Sequence, residues 1–345
     1  MKKIRFYIIL CGVLFGKIST GQDPAFAQYF SSPLNLNPAL AGNINSEWRF
    51  ISNLRNQWQN PSSPYVTGTV SFDKRILQSR DMYKPQGKDV IGLGGMLMMD
   101  QAMGGVVKSN YASLNLSYSL TLSDDVVKQK LGIGFGATYG KRNINLNGLN
   151  FEEQFTGKGF NVNLPTGEAA LSNMKGFFSA NTGLTYSASS ENSNFDLGVA
   201  AFHVNKPSQT FLQDENQYLA MRKVVHANFE TYLSNVVVFN ANAVHQFQNQ
   251  AKYTSVGAIF GYYLPFQSGL MINTGAWYWM NNAIIPYFGI AMKDFQFGIS
   301  YDITTSRLTQ ALQRPRSFEL TFIIRGKKDP VGIQSYPDVL SYPWK

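Results

Sequence analysis

From residue 47 onward the chain alternates between apolar and small polar side chains. In LGIGFGATYG, Leu131, Ile133, Phe135, Ala137 and Tyr139 share one face of an extended strand, and Gly132, Gly134, Gly136, Thr138 and Gly140 share the other. In NYASLNLSYSLTL, Ala112, Leu114, Leu116, Tyr118 and Leu120 alternate with Ser113, Asn115, Ser117 and Ser119. The same period of two runs through VVVFNANAV and YTSVGAIFGYYL. Fourteen segments follow it, at roughly 47–58, 65–73, 90–100, 106–122, 129–143, 176–189, 195–205, 223–234, 236–248, 252–264, 270–279, 283–292, 295–303 and 317–325.

A soluble sandwich also alternates, so three further features set the class. Each apolar face runs for about five residues, the length of a strand of ~9–11 residues crossing a membrane at a tilt. The opposite faces are Gly, Ser, Thr and Asn, suited to a wet or plugged interior. Aromatics crowd the strand ends (Trp48, Trp58, Tyr139, Trp277, Trp279 and Tyr301), as interfacial girdles do. The pattern predicts an all-β protein: a transmembrane, outer-membrane antiparallel β-barrel of about 14 strands. With an even strand count both termini lie in the periplasm. Odd-numbered connections are then external and long. The longest gaps, 144–175, 206–222 and 304–316, are connections five, seven and thirteen. The charged stretch 74–89 is the exception, a long even-numbered connection.

The N-terminus changes how composition is read. Lys2, Lys3 and Arg5 precede an apolar run from Phe6 to Gly16, and Ser19 and Gly21 are small residues ahead of Gln22. This is the pattern of a secretory signal peptide over residues 1–21. The single cysteine, Cys11, lies inside the apolar run and not at its end, so it is no lipidation site. Without the signal, 26 basic residues stand against 21 acidic ones, a modest +5, and no basic run is interleaved with aromatics. Nucleic acid is therefore not an expected partner. With no cysteine left in the exported chain, stability must come from sources other than disulfides.

Between signal and first strand lies QDPAFAQYFSSPLNLNPALAG, residues 22–42, aperiodic yet rich in Phe26, Tyr29, Phe30, Leu34 and Leu36. Irregular backbone cannot face lipid, where its N–H and C=O groups would go unsatisfied, but it can lie in a lumen. The segment 22–46 is expected to start in the periplasm and fold into the barrel as a hatch. Pro24, Pro33 and Pro38 would hold it in extended turns, with an arm beneath the periplasmic rim as the alternative. The barrel is expected to occupy 47–325 and a periplasmic tail 326–345. In that tail Tyr336, Tyr342 and Trp344 stand among prolines like a docking peptide.

Candidate chemistry is sparse. His203, His226 and His245 fall in the proposed strands without ligand spacing, and each is expected to face a polar lumen. No GxSxG, HExxH or P-loop pattern occurs. Glu152, Glu153 and Glu168 in the long loop offer carboxylates for a metal, but a solvated loop is the simpler reading. The expectation is no enzyme, no cofactor and no metal.

QDPAFAQYFSSPLNLNPALAG closely resembles the mature N-terminus of the PorP/SprF family, outer-membrane proteins of the type IX secretion system. RNQW (55–58) follows at the family's place, and AFHVNKPSQTF (201–211), WYWMNNAIIPYFGI (277–290), SYDITTSRL (300–308) and RPRSFELTF (314–322) resemble its later blocks. Near residue 280 this chain departs from the pattern, with Met280, Asn281, Asn282 and Ala283 where a charged step is expected. The resemblance implies a non-enzymatic outer-membrane component of that system. Such a protein supports export or surface attachment of cargo such as large adhesins, links the outer membrane to periplasmic ring and translocon parts, or does both. Residues of the matched blocks and the tail expected to meet partners are Phe26, Tyr29, Asn37, Pro38, His203, Pro207, Tyr342 and Trp344. Two rival functions are a transporter of hydrophobic or small solutes, resembling the fatty-acid transporter class, and, more weakly, an outer-membrane hydrolase.

Overall fold

The structure is a computed structural model that describes residues 23–59, 63–78, 89–145, 149–161, 163–165, 167, 175–209, 218–264, 269–292, 294–306, 315–326 and 344. Fourteen strands follow in chain order: β1 (Trp48–Gln57), β2 (Tyr65–Gln78), β3 (Val90–Ala102), β4 (Val107–Asp124), β5 (Lys128–Ile144), β6 (Phe177–Ser189) and β7 (Ser193–Phe202), then β8 (Arg222–Tyr232), β9 (Val237–Gln248), β10 (Ala251–Tyr263), β11 (Leu270–Trp279), β12 (Ala283–Met292), β13 (Phe295–Thr304) and β14 (Ser317–Arg325). Each pairs antiparallel with its sequence neighbours, and β1 pairs with β14, so the sheet closes into a ring with no free edge. Closure is what a membrane demands of strands, because every ladder group then finds a partner away from water. No helix among the described residues is long and apolar enough to cross a membrane.

The alternation sorts faces as expected. Leu114, Leu116, Ile133, Phe135, Val256, Phe260, Phe288 and Ile299 point outward and are exposed, while Ser113, Asn115, Ser117, Asn181 and Asn240 point inward and are buried. An unbroken apolar belt of this kind would drive aggregation in water. Around a closed ring it is the surface that lipid covers.

Several expectations need correction. Trp277 and Trp279 are not girdle residues. Both face inward, Trp277 is 1% exposed, and its indole N–H donates to Asn242 Oδ1 at 2.8 Å. The interior is not uniformly polar either. Ile51, Val238, Ile259, Met271, Trp277, Ile285 and Ile323 make one side of it apolar, facing the Ser, Thr and Asn side of β4–β6. His203 lies just past β7 with a positive φ of 58°, and not in a strand. His245 is exposed on the outer face, bonded to Thr254 at 2.8 Å. Finally, β2 runs on to Gln78 and takes in part of the charged stretch read as a connection.

Residues 23–46 lie inside the ring. Pro33 and Pro38 start helical turns there and do not hold extended ones, while Pro24 lies in irregular backbone. Pro33 opens a one-turn helix, α1 (Pro33–Leu36), and Pro38 opens a 3-10 turn, Pro38–Leu40, after an earlier one at Tyr29–Ser31. Proline at the first helical position is favoured because its missing N–H would be unpaired there anyway. Asn37 caps the later turn by accepting the Ala39 N–H at 2.9 Å.

Candidate functional site

The most distinctive site is the seat of this internal segment, fixed at four heights. Strands β1 and β14 carry Trp48 and Arg325 at one end of the ring, here the terminal end. Nearest that end, Arg49 of β1 pairs side-on with Asp73 of β2, both bonds 3.0 Å, and Asp73 also accepts the Gly42 N–H at 2.9 Å. Both partners of the ion pair are buried, so each offsets the desolvation of the other.

Further along, Arg55 donates to Glu319 at 2.8 Å and to Asp302 at 2.6 Å. Glu319 in turn accepts the backbone N–H groups of Ala27 at 2.7 Å and Gln28 at 3.2 Å, and the Ser31 hydroxyl at 3.1 Å. One wholly buried carboxylate thus satisfies two otherwise unpaired backbone donors of an irregular segment, which is what makes burial of that backbone tolerable.

On the opposite wall, His226 of β8 meets two residues of the segment. Asn37 Oδ1 is committed to Ala39, so its amide nitrogen faces the wall, donating to the carbonyls of Leu184 at 3.0 Å and Val199 at 3.2 Å and reaching His226 Nε2 at 3.1 Å. His226 Nδ1 lies 2.9 Å from the Tyr29 hydroxyl. Burial first, and then the Asp196 charge, raise Tyr29 well above its ordinary value, so the phenol stays protonated.

At the far end, Asp23 meets His203 at 2.7 Å and Arg222 at 3.2 Å, while its N–H donates to Gln248 at 2.8 Å. Burial alone would raise the Asp23 carboxyl, but His203 and Arg222 outweigh it and hold the group well below the usual carboxylate range. Arg222 also donates to the Asn35 carbonyl at 3.0 Å and lies over the Phe202 ring. Asp23 therefore stands at the end of the ring opposite Trp48. The segment runs the height of the ring and does not begin at the terminal end, as the sequence reading had it.

Glycines cut the seat into the wall. A Cβ on Gly92 would strike the Ala41 carbonyl, one on Gly134 the Ala39 backbone, and one on Gly183 the Asn37 amide. One on Gly94 would come within 2.9 Å of Leu34. Of the inward glycines of LGIGFG, Gly134 lies against the segment's backbone, while Gly132 and Gly136 lie against the Thr185 and Asn115 side chains. On the apolar wall Phe30 packs against Trp277 and Tyr287 at ring separations of 6.2 and 5.7 Å. Burial of that one side chain contributes about 1.5–3 kcal/mol.

The residues expected to meet partners are mostly engaged within the chain. Tyr29 and Asn37 converge on His226, and His203 holds Asp23. The Phe26 carbonyl accepts from Tyr253 at 3.1 Å, Pro38 is buried, and the Pro207 carbonyl accepts the Leu219 N–H at 2.9 Å. Trp344 is buried at the terminal end, and Tyr342 lies outside the described residues. Sequence reasoning missed the charged anchors Arg49, Asp73, Arg55, Asp302, Glu319, Arg222 and Asp23. Their signal was available: charges at inward positions of strands otherwise made of Gly, Ser and Asn. Among the described residues no group of three His, Cys, Asp or Glu is placed to hold a metal; Glu168 lies outside them.

Residues 18–324 match the family model described as type IX secretion system membrane protein PorP/SprF. No curated protein matches the chain. Among solved structures, the toluene transporter TbuX of Ralstonia pickettii is 12% identical, covering 88% of this chain and 96% of its own, with a TM-score of 0.44. The toluene transporter TodX of Pseudomonas putida is 11% identical, with coverage of 86% and 94% and a TM-score of 0.46. CdiB of Acinetobacter baumannii is 8% identical, with coverage of 81% and 60% and a TM-score of 0.43.

Proposed function

Because the chain belongs to the PorP/SprF family of type IX secretion system membrane proteins, we propose that it is a non-enzymatic outer-membrane component of that system with a lumen kept shut by its own N-terminal segment. In this reading the signal peptide is removed before Gln22, the terminal end of the ring, where β1 begins and β14 ends, faces the periplasm, and the far end opens to the exterior. Its work is done by contact: supporting export or surface attachment of a cargo such as a large adhesin, or joining the outer membrane to periplasmic translocon parts. The observation that carries the reading is the family match running from before the internal segment to the last strand. The anchored segment supports it further, because a lumen filled along its height favours docking over conduction.

The test is isolation of the protein from native outer membranes in mild detergent, with mass spectrometry of what accompanies it. Translocon subunits or a large surface protein are the expected companions. Recovery of the barrel alone, carrying lipid or a small ligand, would replace this reading with a transporter of hydrophobic or small solutes.

A further inference from the structure

Trp344, one residue from the end of the chain, is buried inside the ring among residues far from it in sequence. It is 6% exposed and belongs to the apolar cluster of Phe30, Val238 and Met271. Its ring edge occupies the space over Gly261, where a Cβ would stand 3.0 Å from Cη2. Val238 and Met271 lie near the starts of β9 and β11, and Gly261 near the close of β10, so the seat is at the terminal end of the ring. Gly326, the last residue after β14, bonds to the Trp48 carbonyl at that same end, 18 residues before Trp344. At up to ~3.3–3.6 Å per residue, that length of chain allows the return into the ring without strain.

Two features set this indole apart from the other fully enclosed one. Trp277 donates its N–H to Asn242 at 2.8 Å, whereas Trp344 Nε1 has no partner among the described residues. A buried indole N–H ordinarily finds an acceptor when its site is part of a settled core. Trp344 also lines a cavity of about 40 Å³ with Leu40, Asn43 and Arg49. The side chain thus fills a shape-matched but incompletely bonded place.

We propose that the terminal end of the ring carries a receptor seat for an indole on a peptide, occupied by the chain's own Trp344 as a removable ligand. The seat binds by apolar packing over Gly261, so its occupant can leave without breaking a hydrogen bond to any described residue. Withdrawal of Trp344 uncovers Met271, Val238 and the underside of Phe30. The seat stands whether or not the secretion reading holds.

The test uses the full-length protein in detergent micelles, the substitution Trp344→Ala, and a fluorescein-labelled VLSYPWK peptide (residues 339–345) followed by anisotropy. Saturable binding is expected to Trp344→Ala. Binding to the unmodified chain should be roughly 100-fold weaker, because its tethered copy competes at an effective concentration near millimolar. VLSYPAK should not bind. Equal binding to both proteins, or none to Trp344→Ala, overturns the proposal. Should Trp344→Ala fail to fold, Gly261→Leu fills the seat from the wall. Acrylamide quenching of tryptophan fluorescence must then rise relative to the unmodified chain; unchanged quenching refutes the seat.

Discussion

Arg55 and Glu319 face one another across the seam where the first and last strands meet, a register pair with its guanidinium and carboxylate 2.8 Å apart. Neither is solvated, and Glu319 also holds two backbone donors of the internal segment. Ring closure and segment seating therefore depend on the same carboxylate.

Glu319→Ala leaves a buried guanidinium with Asp302 alone and orphans the Ala27 and Gln28 N–H groups. Breaking a buried pair from one side costs about 3–5 kcal/mol. The expected result is a lower urea midpoint in lipid vesicles, read by tryptophan fluorescence. Glu319→Gln, which keeps acceptor capacity, should lose less. Equal midpoints for Ala and the parent would show that the hub is not stabilising.

The glycine seat makes a sharper contrast. Gly134→Val places side-chain atoms in the Ala39 backbone, so residues 37–41 must lift from the wall. Their amide hydrogen exchange should quicken while that of β5 stays slow. Gly95→Ala on the same sheet makes only ordinary contacts, with Leu114 at 3.8 Å and the Ser113 carbonyl at 3.9 Å, and should change stability by no more than about 0.5 kcal/mol.

Deleting residues 23–42 is expected to raise small-solute conductance in planar bilayers, since anchors on both walls lose what they hold. Conductance equal to that of the intact chain would refute occlusion by the segment.

The Asp23 contact gives a pH dependence of defined sign. Its folded carboxyl lies below the unfolded value of about 3.9. Its stabilisation is therefore fully present above roughly pH 4–5 and lost as pH falls through the folded value. Hydrogen exchange at residues 23–28 should speed up, relative to the intrinsic rate, in strong acid. Asp23→Asn should remove that acid-dependent change.

Strand number and outward faces were legible because lipid imposes one demand on every strand, an apolar residue at each second position. The inward face obeys no single demand. On β11 both faces carry apolar residues, Ile272 and Tyr278 outside, Met271 and Trp277 inside, so period two cannot say which tryptophan meets lipid. The unpaired backbone of the internal segment left two placements in the sequence, the lumen or an arm beneath the rim. Nor was its direction legible, because that rests on Asp23 meeting His203, residues 180 apart with no local signal. Likewise Arg55 and Glu319 stood in quoted motifs, yet only closure of the ring brings them together.

The segment's contacts with β1, β14, β8 and the glycines of β3 and β5 come from every side of the ring, and its two ends are tied at opposite mouths. A chain so enclosed is hard to thread into a finished cylinder. A segment in that position can serve as a mandrel around which the later strands are wound, leaving the seam between β1 and β14 to close last. Refolding of the chain lacking residues 23–42 should accordingly show a slow or incomplete final phase, visible as delayed protection of the β1–β14 ladder.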